Sequence, residues 1–392
     1  MAGRLPVTAA AAPDGVPVQH EVRSAYIHVP FCRHRCGYCD FTLVARRDDL
    51  VTEYLAALER ALAGLGTPRT VDTLFLRGGT PTHLSASALD RLFSLLHQWL
   101  PRGTGAEVSV EANPSGLDQE RLQVLRDWKV DRISLGVQSF DVRHLATLER
   151  DHQPDDVHKV VQRLRSWCRN VSLDLIFAVP GQTIEDWEAT LQAAIQLQPE
   201  HVSTYGLTWE RGTTYWSRLQ RGTLQPVEEE TERAMYALAM DRLGESGIEQ
   251  YELSNFARPG WECRHNRVYW RGEEYYGFGP GAASYLNGVR RLNHRSVTTW
   301  IRRVHAGQSE LYEEECLSAE ERAREAIMLG LRQTAGLCLS DFAQKYGTTP
   351  QALNPSAFQS TLDQKLCEES DGYWRLTREG RFVADRVMGE FL

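Results

Sequence analysis

Between Ala25 and Leu207 the chain alternates six short β-rich runs, AYIHVP, VDTLFLR, AEVSVEA, RISLGVQ, VSLDLIF and HVSTYGL, with longer stretches of helical periodicity. No other feature narrows the fold as much, because strands that alternate with 3.6-period segments pair in parallel and bury both faces under helices. Six units are fewer than the eight that close a TIM barrel, so the expected fold is α/β, a partial TIM-like (βα)6 barrel left open. In that architecture the loops after the strands build the site, and residues placed there are expected to converge in space.

After Trp209 the alternation stops. A long helix is expected over about 227–246, followed by a Gly-, Tyr- and Trp-rich segment over 251–288 that reads as an appended substrate-handling region. From Ser318 onward, helical ERAREAIMLGLRQ and LSDFAQKYG, a hairpin-like GYWRLT and a last helix predict a winged-helix-like α+β module. The expected units are a disordered tail over 1–22, the barrel over 23–215, an extension over 216–315 and the C-terminal module over 316–392. A length of 392 residues with 42 % hydrophobic content supports one large domain plus a smaller one.

A net charge of −8 argues against a large phosphate-binding surface, and SAEERAREAIMLGLRQ interleaves its basic residues with Glu, so nucleic acid is not an expected partner. No apolar run approaches the ~20 residues that span a bilayer, and the opening alanine stretch is too short and proline-bounded for a secretory signal. Eight cysteines are too sparse for a disulfide scaffold, and three of them crowd together, which fits a reducing, cytoplasmic setting.

Those three, Cys32, Cys36 and Cys39, stand in FCRHRCGYCDF directly after the first strand, spaced C-x3-C-x2-C. Thiolates so spaced can reach three corners of one iron–sulfur cubane and leave its fourth iron open. Zinc is the alternative, with His34 as a fourth ligand, and three buried structural thiols are another. The second strand ends in Arg77-Gly78-Gly79-Thr80-Pro81, where paired glycines allow backbone to approach a ligand closely. Three later runs end in a polar residue amid apolar neighbours: Glu111, Gln138 and Asp174. A buried carboxylate or amide is costly unless paired, so three such polar residues on successive strands point to a polar ligand, and Arg150 offers a partner for a carboxylate.

The cysteine loop resembles the hallmark of the radical S-adenosylmethionine (SAM) superfamily. That resemblance implies a [4Fe-4S] cluster on Cys32, Cys36 and Cys39, with SAM chelating the open iron through its amino and carboxylate groups. It further implies that Gly78, Gly79 and Thr80 meet the SAM amino group, although Arg77 stands where the superfamily usually has another glycine. Glu111, Gln138, Arg150 and Asp174 then surround the methionine carboxylate, ribose and adenine, and Tyr26 and Tyr38 match positions that touch SAM. Read from the residues alone, Tyr38 fits core packing equally well.

A second signature is His265-Asn266-Arg267-Val268-Tyr269-Trp270, with Phe278-Gly279-Pro280-Gly281-Ala282 downstream. A histidine among aromatic rings suits an axial heme ligand, and it equally describes a hydrogen-bonded core histidine. The string resembles the heme-binding signature of HemW-type heme chaperones, which are relatives of oxygen-independent coproporphyrinogen III oxidase, and the match runs in register from about Ser24 to the C-terminus. What this implies is a chain that binds heme through His265 and passes it to an acceptor hemoprotein, a membrane-bound respiratory one, with an unnamed electron donor for the cluster. Cys263 is a candidate to assist or attach heme, or a buried structural thiol. The oxidase carries a further cysteine two residues past the cluster triad, where this chain has Phe41, and a longer segment ahead of it. A radical enzyme acting on a porphyrin remains the second reading, and no side chain is singled out as catalytic.

Overall fold

A computed structural model describes residues 21–392; the expectation for 1–22 therefore falls almost wholly outside the described residues. Six strands, β1 (Ser24–Val29), β2 (Val71–Gly78), β3 (Arg102–Ala112), β4 (Arg132–Gln138), β5 (Asn170–Phe177) and β6 (His201–Gly206), pair in parallel in chain order. They coincide with the six runs read from the sequence. β5 is buried along its entire length, as expected for an interior parallel strand covered on both faces.

Helices α1 (Val51–Ala63), α2 (Ala86–Trp99), α3 (Gln119–Asp127), α4 (Pro154–Leu164) and α5 (Ile184–Gln196) link consecutive strands. On α1 the buried positions Tyr54, Leu55, Leu58 and Leu62 recur at helical spacing, so one stripe packs on the sheet and the rest faces water. α5 begins at a capping box between Thr183 and Asp186, which satisfies backbone donors that the first turn leaves open. α6 (Glu229–Glu245) covers the sheet further along, tied to α5 by Trp187 Nε1 donating to Met235 O at 2.9 Å.

The sheet has nine strands rather than six. The extension supplies the others: β7 (Glu249–Glu252) and β8 (Asn255–Ala257) continue antiparallel from β6, and β9 (Tyr276–Phe278) pairs in parallel with β1 at the opposite edge. Between those edges runs α7 (Arg264–Trp270), which carries the HNRVYW string. It contacts the early residues of the central strands: His265 Nδ1 lies 2.8 Å from Thr73 Oγ1, and the Arg264 and His265 backbone N–H groups donate to Glu107 at 3.0 and 3.2 Å. The extension thus plugs the barrel at its foot, the end where the strands begin. β10 (Ala283–Leu286), β11 (Val289–Asn293) and β12 (Leu311–Cys316) form a separate antiparallel sheet.

The C-terminal module has its own core around Ile327, Phe342, Phe358, Trp374 and Phe391. Its order is helix α8 (Ala319–Leu331), a short strand, three helices and a hairpin of Cys367–Ser370 with Tyr373–Leu376, the winged-helix-like arrangement expected.

Candidate functional site

The cluster loop leaves β1 at the mouth, the end where the strands finish. Residues Phe31–Cys32 pair with Val44–Ala45, and Arg35 donates to the carbonyls of Cys39, Phe41 and Leu43, so both ends of the cysteine loop are clamped. Cys32 Sγ lies 3.5 Å from Thr80 Oγ1 and Cys36 Sγ 3.8 Å from Arg150 Nη1. Burial pushes the Cys32 thiol up to about 12 and the Cys39 thiol to about 11, and a neighbouring positive charge such as a metal's favours their thiolates.

The predicted SAM contacts gather around that loop. Thr80 Oγ1 accepts from Asn113 Nδ2 at 3.0 Å, Asn113 Oδ1 accepts from Arg150, and Arg150 also donates to Gly136 O at 2.8 Å. Gln138 completes the group with a left-handed φ of 64°, at a break in the β4–β5 register. Gly79 is compelled by sterics, because a Cβ there would lie 2.7 Å from Phe31 O and 2.8 Å from Phe31 N. Gly78, at φ 119°, sits against the His28 ring, where a Cβ would fall within 2.5 Å.

Arg77, which breaks the glycine run, points inward and pairs with Glu111 at 3.3 Å. Burial raises the Glu111 carboxyl and the Arg77 guanidinium pulls it back down. Glu111 Oε2 has no hydrogen bond beyond that 3.3 Å ion pair with Arg77 Nε, and Arg150 Nε has no acceptor, which leaves polar atoms at this end for a ligand. The three sulfurs, the glycine cradle and these unmet polar atoms fit a cluster with bound SAM. A cleft of about 530 Å3, bordered by Arg35, Cys39, Asp40, Trp209, Arg211 and Arg295, opens beside the loop.

The remaining expected residues have partners of their own. Asp174 is deeper in the barrel and accepts from Ser134, Ser172 and Ser203 at 2.7–3.4 Å, a carboxylate already supplied with donors. Tyr38 packs edge-on against Tyr215 in a small core with Leu148, Ile176 and Leu207. His34 faces Glu149 at 3.3 Å instead of the sulfurs. His265 corrects the expectation that the unusual residues converge: it is fully buried at the foot, with Nδ1 on Thr73 and Nε2 on Tyr269 Oη at 2.8 Å. Burial lowers its pKa to about 3, keeping the ring neutral. Cys263 is buried there too, its thiol 3.7 Å from Glu107 Oε1.

Sequence reasoning passed over Asn113, which joins Thr80 to Arg150, and His28, which links Tyr26 Oη at 2.9 Å to Thr42 O at 2.6 Å. Both were visible as polar residues inside apolar runs, SVEANP and AYIHVP. It also missed a cavity of about 430 Å3 between α7 and α8, walled by Tyr26, Tyr269, Trp270, Tyr275, Tyr285 and Tyr346.

A parallel barrel with a three-cysteine loop at its mouth defines a radical SAM protein. Residues 26–194 match the family model for the radical SAM superfamily, and 317–383 match that for the HemN C-terminal domain. The chain is 38 % identical over 377 residues to a protein of Bacillus subtilis named heme chaperone HemW, covering 95 % of this chain and 99 % of that one. It is 31 % identical to the Escherichia coli protein of the same name, covering 94 % and 98 %. The chain belongs to the HemW heme chaperone family. The solved structure of Escherichia coli coproporphyrinogen III oxidase (HemN) shares the fold, with a TM-score of 0.84 over 95 % of this chain and 91 % of that one at 22 % identity. Membership of the radical SAM superfamily implies a [4Fe-4S] cluster and SAM. No described helix is long and apolar enough to cross a membrane.

Proposed function

We propose that this chain binds heme at the HNRVYW end of the extension and passes it to an acceptor hemoprotein, a membrane-bound respiratory one, while a SAM-coordinated cluster occupies the barrel mouth. The observation that carries the reading is α7 itself: its histidine is held inside the barrel, and its Tyr269–Trp270 end borders an aromatic cavity. The iron ligand in this account is His265 Nε2, taken once the Tyr269 hydroxyl lets go. A bound cluster with an open iron supplies a chelation point for the amino and carboxylate groups of SAM and an electron for its sulfonium. Around it, the Arg150 guanidinium, oriented by Asn113 and Gly136 O, receives a carboxylate, while the Gly78–Gly79 backbone gives close approach.

Eight free thiols suit the reducing cytoplasm we assign to the chain. The likeness to the oxidase is one of fold, and Phe41, 43 % exposed beneath Arg77 at 5.5 Å, occupies the place of that enzyme's additional cysteine. The test is anaerobic reconstitution with iron and sulfide, then incubation of the heme-loaded protein with an apo-hemoprotein and, separately, of the protein with coproporphyrinogen III, SAM and reductant. Heme transfer without protoporphyrinogen formation is expected. Turnover of coproporphyrinogen would overturn the chaperone reading.

A further inference from the structure

The cavity beside α7 has features that the HNRVYW string does not account for. One side is the extension: Tyr269 and Tyr275 meet edge to face at 4.7 Å, and Trp270 borders the same space with a buried Nε1 that has no acceptor. The other side is the C-terminal module, through Ala326, Met328 and Leu329 of α8 and Tyr346 beyond it. A space of about 430 Å3 lined largely by aromatic and apolar side chains takes an apolar ring system in preference to a flexible polar one.

Charge narrows the ligand further. Two guanidinium groups, Arg290 and Arg322, and two carboxylates, Glu273 and Glu325, reach the cavity, and Glu273 is paired with Arg271 at 3.7 Å. Arg290 is paired with Glu325 at 2.7 Å and Glu315 at 3.3 Å. Arg322 has no carboxylate partner among the described residues; its one side-chain hydrogen bond among them runs from Nη1 to Leu317 O at 3.4 Å. An arginine left without its counter-charge at the edge of an aromatic cavity is suited to a carboxylate carried by the ligand. A planar macrocycle with carboxylate side chains meets both demands, and His265 Nε2 lies directly behind Tyr269, 2.8 Å from its hydroxyl.

We propose that the cavity between α7 and α8 is the porphyrin seat, with a ligand carboxylate on Arg322, the C-terminal module as its outer wall, and Tyr269 as the shutter that uncovers His265. This rests on the heme reading above and adds where the ring lies and what holds its edge. It also gives the C-terminal module a role: α8 closes over the ligand, and release to an acceptor requires α8 and α7 to part. Tyr269→Phe removes the hydroxyl that competes for Nε2, so heme affinity rises roughly two- to tenfold, the value of one hydrogen bond.

The test is equilibrium titration of the cluster-loaded protein with hemin and with hemin dimethyl ester, in which both carboxylates are masked. Ala326→Trp fills the space from α8 and should weaken hemin binding at least tenfold, with iron–sulfur absorbance unchanged. Arg322→Gln should weaken hemin severalfold and leave the ester untouched, which keeps the test valid if Ala326→Trp fails to fold. If both variants bind hemin like the wild type while His265→Ala does not, heme binds through His265 but outside this cavity, and the seat is wrong. If the wild-type protein binds no hemin at all, it is the heme reading itself that fails.

Discussion

The two ends of one barrel surround their acidic, histidine and thiol groups differently. At the foot, Glu107 accepts from the backbone of Arg264 and His265 and from Ser109 and Cys263, while His201 spends its nitrogens on Ser172 at 2.8 Å and Tyr251 at 2.9 Å. At the mouth, Glu111 Oε2 has only its 3.3 Å ion pair with Arg77 Nε, Arg150 Nε has no acceptor, and three free cysteines stand in one short loop. The carboxylate and histidine at the foot find donors and acceptors within the chain, although buried Arg132 keeps Nε and Nη1 without acceptors, whereas the cysteines at the mouth are completed by what binds there. Similar inward-facing residues can therefore mark structure or function, and what separates them is whether the chain itself supplies their partners.

The largest effect expected is at the mouth. Replacing Cys32, Cys36 or Cys39 by Ala should remove the cluster entirely, read as loss of bound iron and sulfide, and leave the circular dichroism of the barrel in place. Unfolding of all three variants would mean that metal holds the fold, and the contrast between the ends would collapse.

At the foot the lesion should be one of stability. Glu107→Ala strands two backbone N–H groups and leaves Arg132 buried without its neighbouring carboxylate, at a cost of about 3–5 kcal/mol in denaturant unfolding. SAM binding should survive at temperatures where the variant is folded. A loss under 1 kcal/mol, on the order of a surface change, would show that the plug at the foot is loose.

Acid should act on both ends. Burial lowers His28 to about 4, His152 to about 4 and His265 to about 3, so each is neutral when folded and takes up a proton near 6.5 when unfolded. Stability is therefore lost as pH falls below 6.5, by up to roughly 2 kcal/mol per histidine at pH 5, and the loss levels off near the folded values. Burial holds His201 well below its usual value too, so it contributes to the same slope, and His201→Asn, which keeps a donor and an acceptor without titrating, should reduce it; an unchanged slope would remove His201 from the acid-sensitive set.

The smallest effect sharpens the account of the cluster. His34→Ala removes only a half-exposed contact with Glu149 and should leave the iron content unaltered, with a stability change under about 1 kcal/mol. Loss of metal in that variant would favour a four-ligand site such as zinc.

The six parallel strands could be read from the sequence because each is a nearly unbroken buried run, and the cysteine loop because its ligands lie within eight residues. The three added strands could not: NFA and YGF are too short to show a period, and they pair only because the extension reaches both sheet edges. The position of His265 was hidden for a related reason, since its partner Thr73 is 192 residues away. Asp174 was visible as a polar break in β5, but the serines that satisfy it stand on β4, β5 and β6, and only the register aligns them.

The central claim is that heme and cluster belong to opposite ends of one barrel, and it is tested most directly by the optical spectrum of His265→Ala after anaerobic reconstitution and addition of one equivalent of hemin. The account predicts loss of the Soret band with the iron–sulfur absorbance intact. A normal Soret band in that variant would contradict it.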